Sequence, residues 1–395
     1  MRPWTHWASS ADLAALRLPA HDAGTGLTGS PIGRVSDGDE FVFDPLDAYR
    51  SGLVTNPNAV VLGAIGAGKS TVVKMILARA LARGRRAVVV DPKGEYGELA
   101  RRVGGARVAL GRDGWCDPID EGGAGRSTVR VLLEALSGRA LDDEEHLALD
   151  EAWVRASALP GPRLRAVAEV LAGDLPADPG ARRALALSLR RLVRGDLAGV
   201  LDGEGAPVAL DAPLVVLDVS EVWGSAAVVP AALAAVAAAQ RMVATAQRPG
   251  YVVLDEAWAL LDAPGTVDWL RASWKLARAR GLSHVVVLHR AGDASAVGDA
   301  GSAARERATG LLAECETAVL LAQPPEEART LARVLGLGER EADRLTRLTR
   351  GEALVRYGPH RSLVHLEPRP DEWDLVDTDQ AMRAGQDEPL GTMPR

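Results

Sequence analysis

Hydrophobic and polar positions divide this chain into two kinds of stretch. Unbroken apolar runs of four to six residues, bounded by Gly, Pro, Asp or Asn, have the length and edges of strands buried on both faces. They are Ala59–Leu62, Arg86–Val90, Leu214–Val219, Tyr251–Leu254, Val285–Leu288 and Thr317–Leu321, with a shorter candidate at Arg107–Leu110. Between them, apolar residues recur three or four apart, which is helical spacing. Thr71–Arg83 is such a helix, with Val72, Met75, Ile76 and Leu77 inward. Others are Ser225–Thr245, a stretch through Trp269 and Trp274 to Arg280, and helices from Glu326 to Thr349. Strands alternating with helices make this an α/β chain.

The pattern changes between Ser127 and Val200. Val131, Leu132 and Leu136, then Leu147, Leu149, Trp153 and Val154, and further groups up to Val193 all keep helical spacing, with Pro and Gly between them. This predicts an inserted all-α subdomain over residues 127–200, within a sheet domain formed by 56–126 and 201–367. Residues 1–55 read as a loop-rich lead-in with a hairpin at the Phe41-Val-Phe43 run. Ala353–Tyr357 and Ser362–Leu366 read as a terminal hairpin, and 368–395 as a polar tail. No repeat of 20 to 50 residues is evident.

Composition narrows the class. At 47% hydrophobic and 25% charged the chain is ordinarily globular, and its net charge of −7 argues against a surface coated in basic residues for nucleic acid, leaving room for a basic lumen or loop. Lysine occurs only at 69, 74, 93 and 275 while arginine is abundant, a bias toward Ala, Arg and Gly under which a retained lysine is informative. Cys116 and Cys315 are solitary and have no metal-ligand spacing, which fits a reducing compartment. Met1–Ala20 lacks a continuous apolar segment, and Ser225–Ala239 is short, alanine-rich and interrupted by Pro230. The expectation is a cytoplasmic chain with no integral membrane segment, able to dock at the periphery of a membrane assembly.

The chemistry sits where strands end. Gly63-Ala-Ile-Gly-Ala-Gly-Lys-Ser70 matches the phosphate-binding pattern G-x-x-x-x-G-K-[ST], placed between a strand and a helix as its mechanism requires. Backbone N–H groups of Gly63, Ala64, Gly66, Ala67, Gly68, Lys69, Ser70 and Thr71 are expected to wrap the phosphates of ATP. Lys69 reaches the β and γ oxygens and the Ser70 hydroxyl is a magnesium ligand. Val252-Val-Leu-Asp255-Glu256 then reads as a Walker B strand, with Asp255 on the magnesium side and Glu256 orienting and deprotonating the attacking water. The alternative is that the two carboxylates cap the next helix. Asp91 and Glu95, after the second strand, are either close to the magnesium or ordinary turn and cap residues. Trp258 and the other tryptophans, not interleaved with basic clusters, read as core or interface residues rather than base-stacking platforms.

Taken together, Asn58 to Ser70, Val90-Asp-Pro-Lys-Gly-Glu-Tyr96, Val216-Leu-Asp-Val-Ser220, Leu254-Asp-Glu-Ala-Trp258 and the Cys315–Gln323 run resemble the conjugal-transfer and type IV secretion ATPases of the HerA and FtsK group. The resemblance runs in order from Gly33 to Asp379. It implies a RecA-like P-loop NTPase core with a mostly parallel central sheet and an all-α insertion. It also implies a homo-oligomer, a hexamer in this family, with ATP between neighbours, coupling hydrolysis to movement of DNA or protein with a conjugation or secretion machinery. Arg278 and Arg280 match a basic pair that would act on a neighbour's nucleotide; equally, they could be a cationic helix C-terminus and nothing more.

Two departures stand out. Where the family carries a glutamine that senses the γ-phosphate, this chain has His289, whose charge depends on pH. Family members also have a substantial N-terminal domain, whereas about fifty residues precede the phosphate loop here. The expectation is that docking is absent or supplied by another chain. Two rivals stay in view: a HerA-like DNA translocase for processing or defence, which shares the same core, and a nucleotide-gated structural subunit with little turnover, which the two departures keep alive.

Overall fold

The structure is a computed structural model that describes residues 25–119, 125–159, 163–203, 207–221, 228–257, 260, 263, 265–289 and 309–376. Trp258, Arg290 and the stretch from 377 onward lie outside the described residues.

Among these, eleven strands form one sheet in the order β2-β1-β11-β10-β9-β3-β8-β7-β4-β6-β5. Its parallel part holds β3 (Ala59–Leu62), β4 (Arg86–Asp91), β5 (Ala106–Ala109), β6 (Leu214–Asp218), β7 (Gly250–Leu254), β8 (Leu282–Leu288) and β9 (Thr317–Leu320). β10 (Glu352–Tyr357), β11 (His360–Leu366), β1 (Pro31–Val35) and β2 (Glu40–Val42) extend it as an antiparallel meander. The two hairpins expected near the ends of the chain therefore meet, β1 pairing with β11. The mostly parallel α/β sheet implied by the resemblance is present.

Strand pleating separates two cores. Val60, Leu62, Val88, Val90, Val215 and Leu217 point to one face; Ala59, Val61, Ala87, Val89, Leu214 and Val216 point to the other. The second face is covered by α1 (Pro45–Arg50), α2 (Lys69–Ala82) and α3 (Gly97–Arg102). Four helices between β5 and β6 share the first core: α4 (Gly125–Ser137), α5 (Asp143–Ala156), α6 (Arg163–Ala172) and α7 (Pro179–Arg194). Their starts are chemically marked. Asp142 and Glu145 form a capping box at α5, and Asp178 caps α7, whose first residue is a proline. α4 packs on α8 (Val228–Ala246) and α9 (Thr266–Ala277), which joins the insertion to the sheet.

Three readings change. Pro230 does not interrupt α8. It occupies the first turn, where the backbone N–H has no intrahelical partner to lose, so the helix runs 19 residues. By length and hydropathy α8 could span a membrane, yet most of it is buried inside the fold, against β4 and β7. β8 begins three residues before its apolar run, because Ser283 and His284 are fully buried with partners. Ser283 Oγ donates to Pro57 O (2.6 Å), and the His284 ring lies 3.0 Å from Ser273 Oγ and 3.2 Å from Asn58 Oδ1. Burial pushes the His284 pKa down to about 3, so the ring is neutral.

The third change is at the start of the tail. A 3₁₀ turn at Pro370–Glu372 and α12 (Trp373–Val376) pack on α2 and bury Glu372 and Leu375; α10 (Pro325–Leu335) and α11 (Glu339–Leu345) precede the terminal hairpin. Arg79 of α2 is the tie. Its guanidinium donates to Glu372 Oε1 (3.1 Å) and Oε2 (2.8 Å), to Glu367 O (2.8 Å) and to Pro31 O. Burial alone would raise the Glu372 pKa, but Arg79 and the Arg369 N–H hold it below the usual carboxylate range. The ion pair therefore stabilises the fold above the unfolded carboxylate value and fades as pH falls through the lowered folded one. Glu372→Gln leaves Arg79 buried without its counter-charge and is expected to cost about 3 kcal/mol at neutral pH. Urea unfolding of both proteins should show that loss shrinking toward acid pH; a constant difference from neutral to acid would contradict the assignment.

Candidate active site

The strand order brings the site together. β8 lies between β3 and β7, with Leu62 opposite Leu288 and Leu254 opposite Val286. The residues that follow these three strands, and those that follow β4 on the far side of β7, emerge at one edge of the parallel sheet. That is the edge where ligands bind in such folds.

The phosphate loop starts where β3 stops. Leu321 N–H donates to Leu62 O (2.8 Å) and Ala64 N–H to Ala322 O (3.0 Å), so the loop is anchored to the segment after β9. Gly63 is required there, because a Cβ would lie 2.8 Å from that of Leu321. Gly68, at φ +96°, is the left-handed N-cap of α2 and supplies no side-chain hydrogen bond. The first-turn N–H groups of the helix are thus left for a ligand, as in an anion site. Ser70 and Thr71 are half-buried in that turn. Lys69, 7% exposed, folds back so that Nζ donates to Gly63 O (2.8 Å) and Ala64 O (3.1 Å), and it also contacts His289 Nδ1 at 2.8 Å.

Asp255 and Glu256 follow β7, both 5% exposed. Asp255 Oδ1 accepts from the Glu256 N–H (2.9 Å) and Oδ2 from the Tyr96 hydroxyl (3.0 Å). Glu256 sits at φ +52°, an unusual conformation for a non-glycine residue, which turns its carboxylate toward the phosphate loop side. There it meets His289 Nε2 (2.6 Å to Oε2) and the ammonium of Lys93. An ammonium has only protons to give, so His289 Nδ1 accepts from Lys69 and Nε2–H donates to Glu256. The imidazole is thus held between cation and anion.

The neighbouring carboxylates are driven apart. Burial, then the Glu256 charge, pushes Asp255 up to about 6 against the Tyr96 and backbone hydrogen bonds. Burial also opposes ionisation of Glu256, but the hydrogen bonds from His289 and Lys93 outweigh it and hold its pKa at about 2. The Asp91 carboxylate is committed to its own loop. Oδ1 accepts from the N–H groups of Lys93 (3.3 Å) and Glu95 (3.1 Å), and Oδ2 from that of Tyr96 (2.9 Å), which is a turn cap. The loop instead delivers Lys93 to Glu256 and Tyr96 to Asp255, two partnerships the sequence reading missed. The retained lysine was the available pointer.

Arg278 and Arg280 do not join this group. They form a 3₁₀ turn before β8, and seven strand residues separate them from His289, about 23 Å at about 3.3 Å per residue. Among the described residues no three of His, Cys, Asp and Glu converge as a metal cage. One hydroxyl (Ser70) and one strand-end carboxylate (Asp255) are nevertheless the sparse, hard-oxygen donor set that magnesium takes when phosphates and water complete its shell.

Known proteins share this fold. Residues 49–223 match the model of an AAA-like domain. The chain is similar to the structure of VirB4 of Thermoanaerobacter pseudethanolicus, with a TM-score of 0.74 and 25% identity over 87% of this chain and 98% of that one. It shares its fold with the plasmid coupling protein TrwB. The complex with a non-hydrolysable ATP analogue gives a TM-score of 0.57 and 18% identity over 87% and 90% of the two chains. The complex with ADP and Mg2+ gives 0.54 and 19% over 79% and 85%. No curated protein matches by sequence. The resemblance to conjugal-transfer and type IV secretion ATPases, and the RecA-like P-loop fold it implied, are borne out.

Because Asp255 is ionised only above about 6, magnesium-dependent nucleotide binding should strengthen as pH rises through that value. Tyr96→Phe removes a hydrogen bond that favours the charged form, and it should move the binding midpoint up by about one pH unit, the effect of losing one charge-assisted hydrogen bond. Titrating a fluorescent ATP analogue at a series of pH values checks this; an unmoved midpoint would remove Tyr96 from the site.

Proposed function

We propose that the chain is a magnesium-dependent ATPase motor of the conjugal-transfer type, working as a homo-oligomer that moves DNA or protein for a conjugation or secretion assembly. The observation that carries this reading is the meeting of Lys69, His289, Glu256 and Asp255 at the end of the parallel strands. In it, residues 56–126 and 201–367 are the ATPase core and 127–200 the inserted helical subdomain. That TrwB has been seen with ADP and Mg2+ and with analogues of ATP and GTP supports the same ligand class here.

In this reading Lys69 exchanges Gly63 O and Ala64 O for the β and γ oxygens of ATP, and the N–H groups of Gly63 to Thr71 hold the phosphates. Magnesium supplies neutralisation of charge on the transferred phosphoryl group, held by Ser70 and by Asp255 through water. Glu256 positions the attacking water and accepts its proton. At about 2 its carboxylate is a weak base, so its first contribution is orientation, and it becomes more basic when His289 or Lys93 lets go. His289 connects the two halves, since a phosphate that draws Lys69 away also removes the hydrogen bond at Nδ1. Arg278 and Arg280 are too far to serve their own phosphate loop, and they act on the nucleotide of the next subunit.

A nucleotide-gated subunit with little turnover is the second reading, favoured by one feature, the double hold of His289 and Lys93 on Glu256. Steady-state ATP hydrolysis, with mass determination in the same buffer and with single- or double-stranded DNA added, separates the two. Magnesium-dependent turnover is expected from an oligomer, abolished by Lys69→Ala and reduced at least about 10²-fold by Glu256→Gln with ATP binding retained. Binding without turnover in the wild-type chain would favour the gated subunit, and full turnover in Glu256→Gln would sink the mechanism.

A further inference from the structure

α6 and α7 of the insertion enclose an open cleft of about 510 Å3. Arg165, Arg182, Arg183, Arg190 and Arg194 line it, with Glu169 the one carboxylate among its lining residues. The bias of α7 is local. Its 16 residues hold five arginines and no acidic residue, in a chain whose net charge is −7. Arg183, Leu187, Arg190 and Arg194 stand at i, i+4, i+7 and i+11, a single stripe along the helix, opposite the inward stripe of Leu185, Leu189 and Leu192.

The arginines are not equally engaged. Arg165 is held by Asp202 at 3.0 and 3.3 Å, Arg194 lies 3.7 Å from Glu169, and Arg182 donates to Gly173 O. Arg183 and Arg190 are exposed and, among the described residues, make no hydrogen bond or ion pair. Between them Leu187 is 53% exposed, beside Ala186 and above the buried Val193. Two uncommitted guanidinium groups thus flank an apolar strip in a groove between two helices.

We propose that this groove is a docking site for an acidic amphipathic segment of a partner protein, its apolar side on the Leu187 strip and its carboxylates paired with Arg183 and Arg190. Charge decides the sign of the partner. The planar guanidinium forks match carboxylates in paired hydrogen bonds, and arginine keeps such pairs at protein interfaces better than lysine does. The apolar strip decides its class. A nucleic acid backbone has nothing to place on Leu187, and among the described residues no aromatic side chain lines the groove for bases to stack on. An amphipathic helix uses both features, filling the groove with the i, i+4 and i+7 side chains of one face.

The test uses the full chain and the double variant Arg183→Glu/Arg190→Glu. Both positions are exposed and glutamate is a good helix former, so the variant should keep its fold, which unchanged nucleotide binding would verify. The probe is a fluorescein-labelled helical peptide with leucines along one face and glutamates beside them, read by fluorescence anisotropy. Wild type should bind it at least about tenfold more tightly than the variant does, and than it binds the same peptide with glutamine for glutamate, the effect of two interfacial ion pairs. Equal binding by wild type and variant would overturn the proposal. So would a single-stranded oligonucleotide, rather than the peptide, losing affinity in the variant. Dissociation of a self-associated chain by the two substitutions would likewise overturn it, by assigning the groove to a second copy.

Discussion

Two carboxylates buried side by side at the end of β7 set the terms for everything near them. Desolvation opposes charge on both, and each charge opposes the other, so a folded site must offer each a different environment. Glu256 receives a lysine and an imidazole N–H; among the described residues Asp255 accepts hydrogen bonds from a hydroxyl and a backbone N–H. The donors come from β4 and β8, the two neighbours of β7 in the sheet. Strand order thus decides which carboxylate is permanently charged and which is left wanting a cation.

That inequality has a chemical use. A carboxylate near 6 is close to changing state at neutral pH, and its charge is favoured most by an added cation, so in the proposed function a magnesium ion would complete Asp255 electrostatically. Glu256 needs no such help. Its hold by two donors instead weakens it as a base, and one of those donors, His289, is also a partner of Lys69. In the proposed mechanism the ligand that recruits Lys69 would therefore act, through one imidazole, on the carboxylate that orients the water attacking its terminal phosphate. A glutamine at that place could bridge a lysine and a carboxylate too, but its amide could not take up a proton.

What the sequence made legible was local. The phosphate loop, the Asp-Glu strand end and the strand-helix alternation each lie within one continuous stretch, so pattern and turn chemistry suffice to read them. Long-range pairings were not legible. Tyr96 and Asp255 are 159 residues apart, and nothing at either position specifies the other until β4 is known to lie beside β7. The start of β8 was missed because Ser283 and His284 are polar; they are buried because Pro57, Ser273 and Asn58 satisfy them. Pro230 misled through position, since its effect depends on which turn of the helix it occupies. The 370–376 segment looked like tail because its buried ionic anchor, Glu372, finds Arg79 from 293 residues away.

The parallel sheet also constrains how copies of the chain could cooperate. All seven parallel strands release their C-termini at the phosphate-loop edge, and the turn carrying Arg278 and Arg280 leads into one of them from the other edge. A two-fold contact can pair the two edges reciprocally, the arginine turn of each subunit meeting the phosphate loop of the other, and it closes at once as a dimer. A head-to-tail contact also puts the arginine edge of one subunit beside the phosphate loop of the next, and it repeats until it closes as a ring or continues as a filament. If those arginines act in trans, the smallest complete catalytic unit is therefore an interface, and closure, as a dimer or a ring, is what gives every phosphate loop a partner.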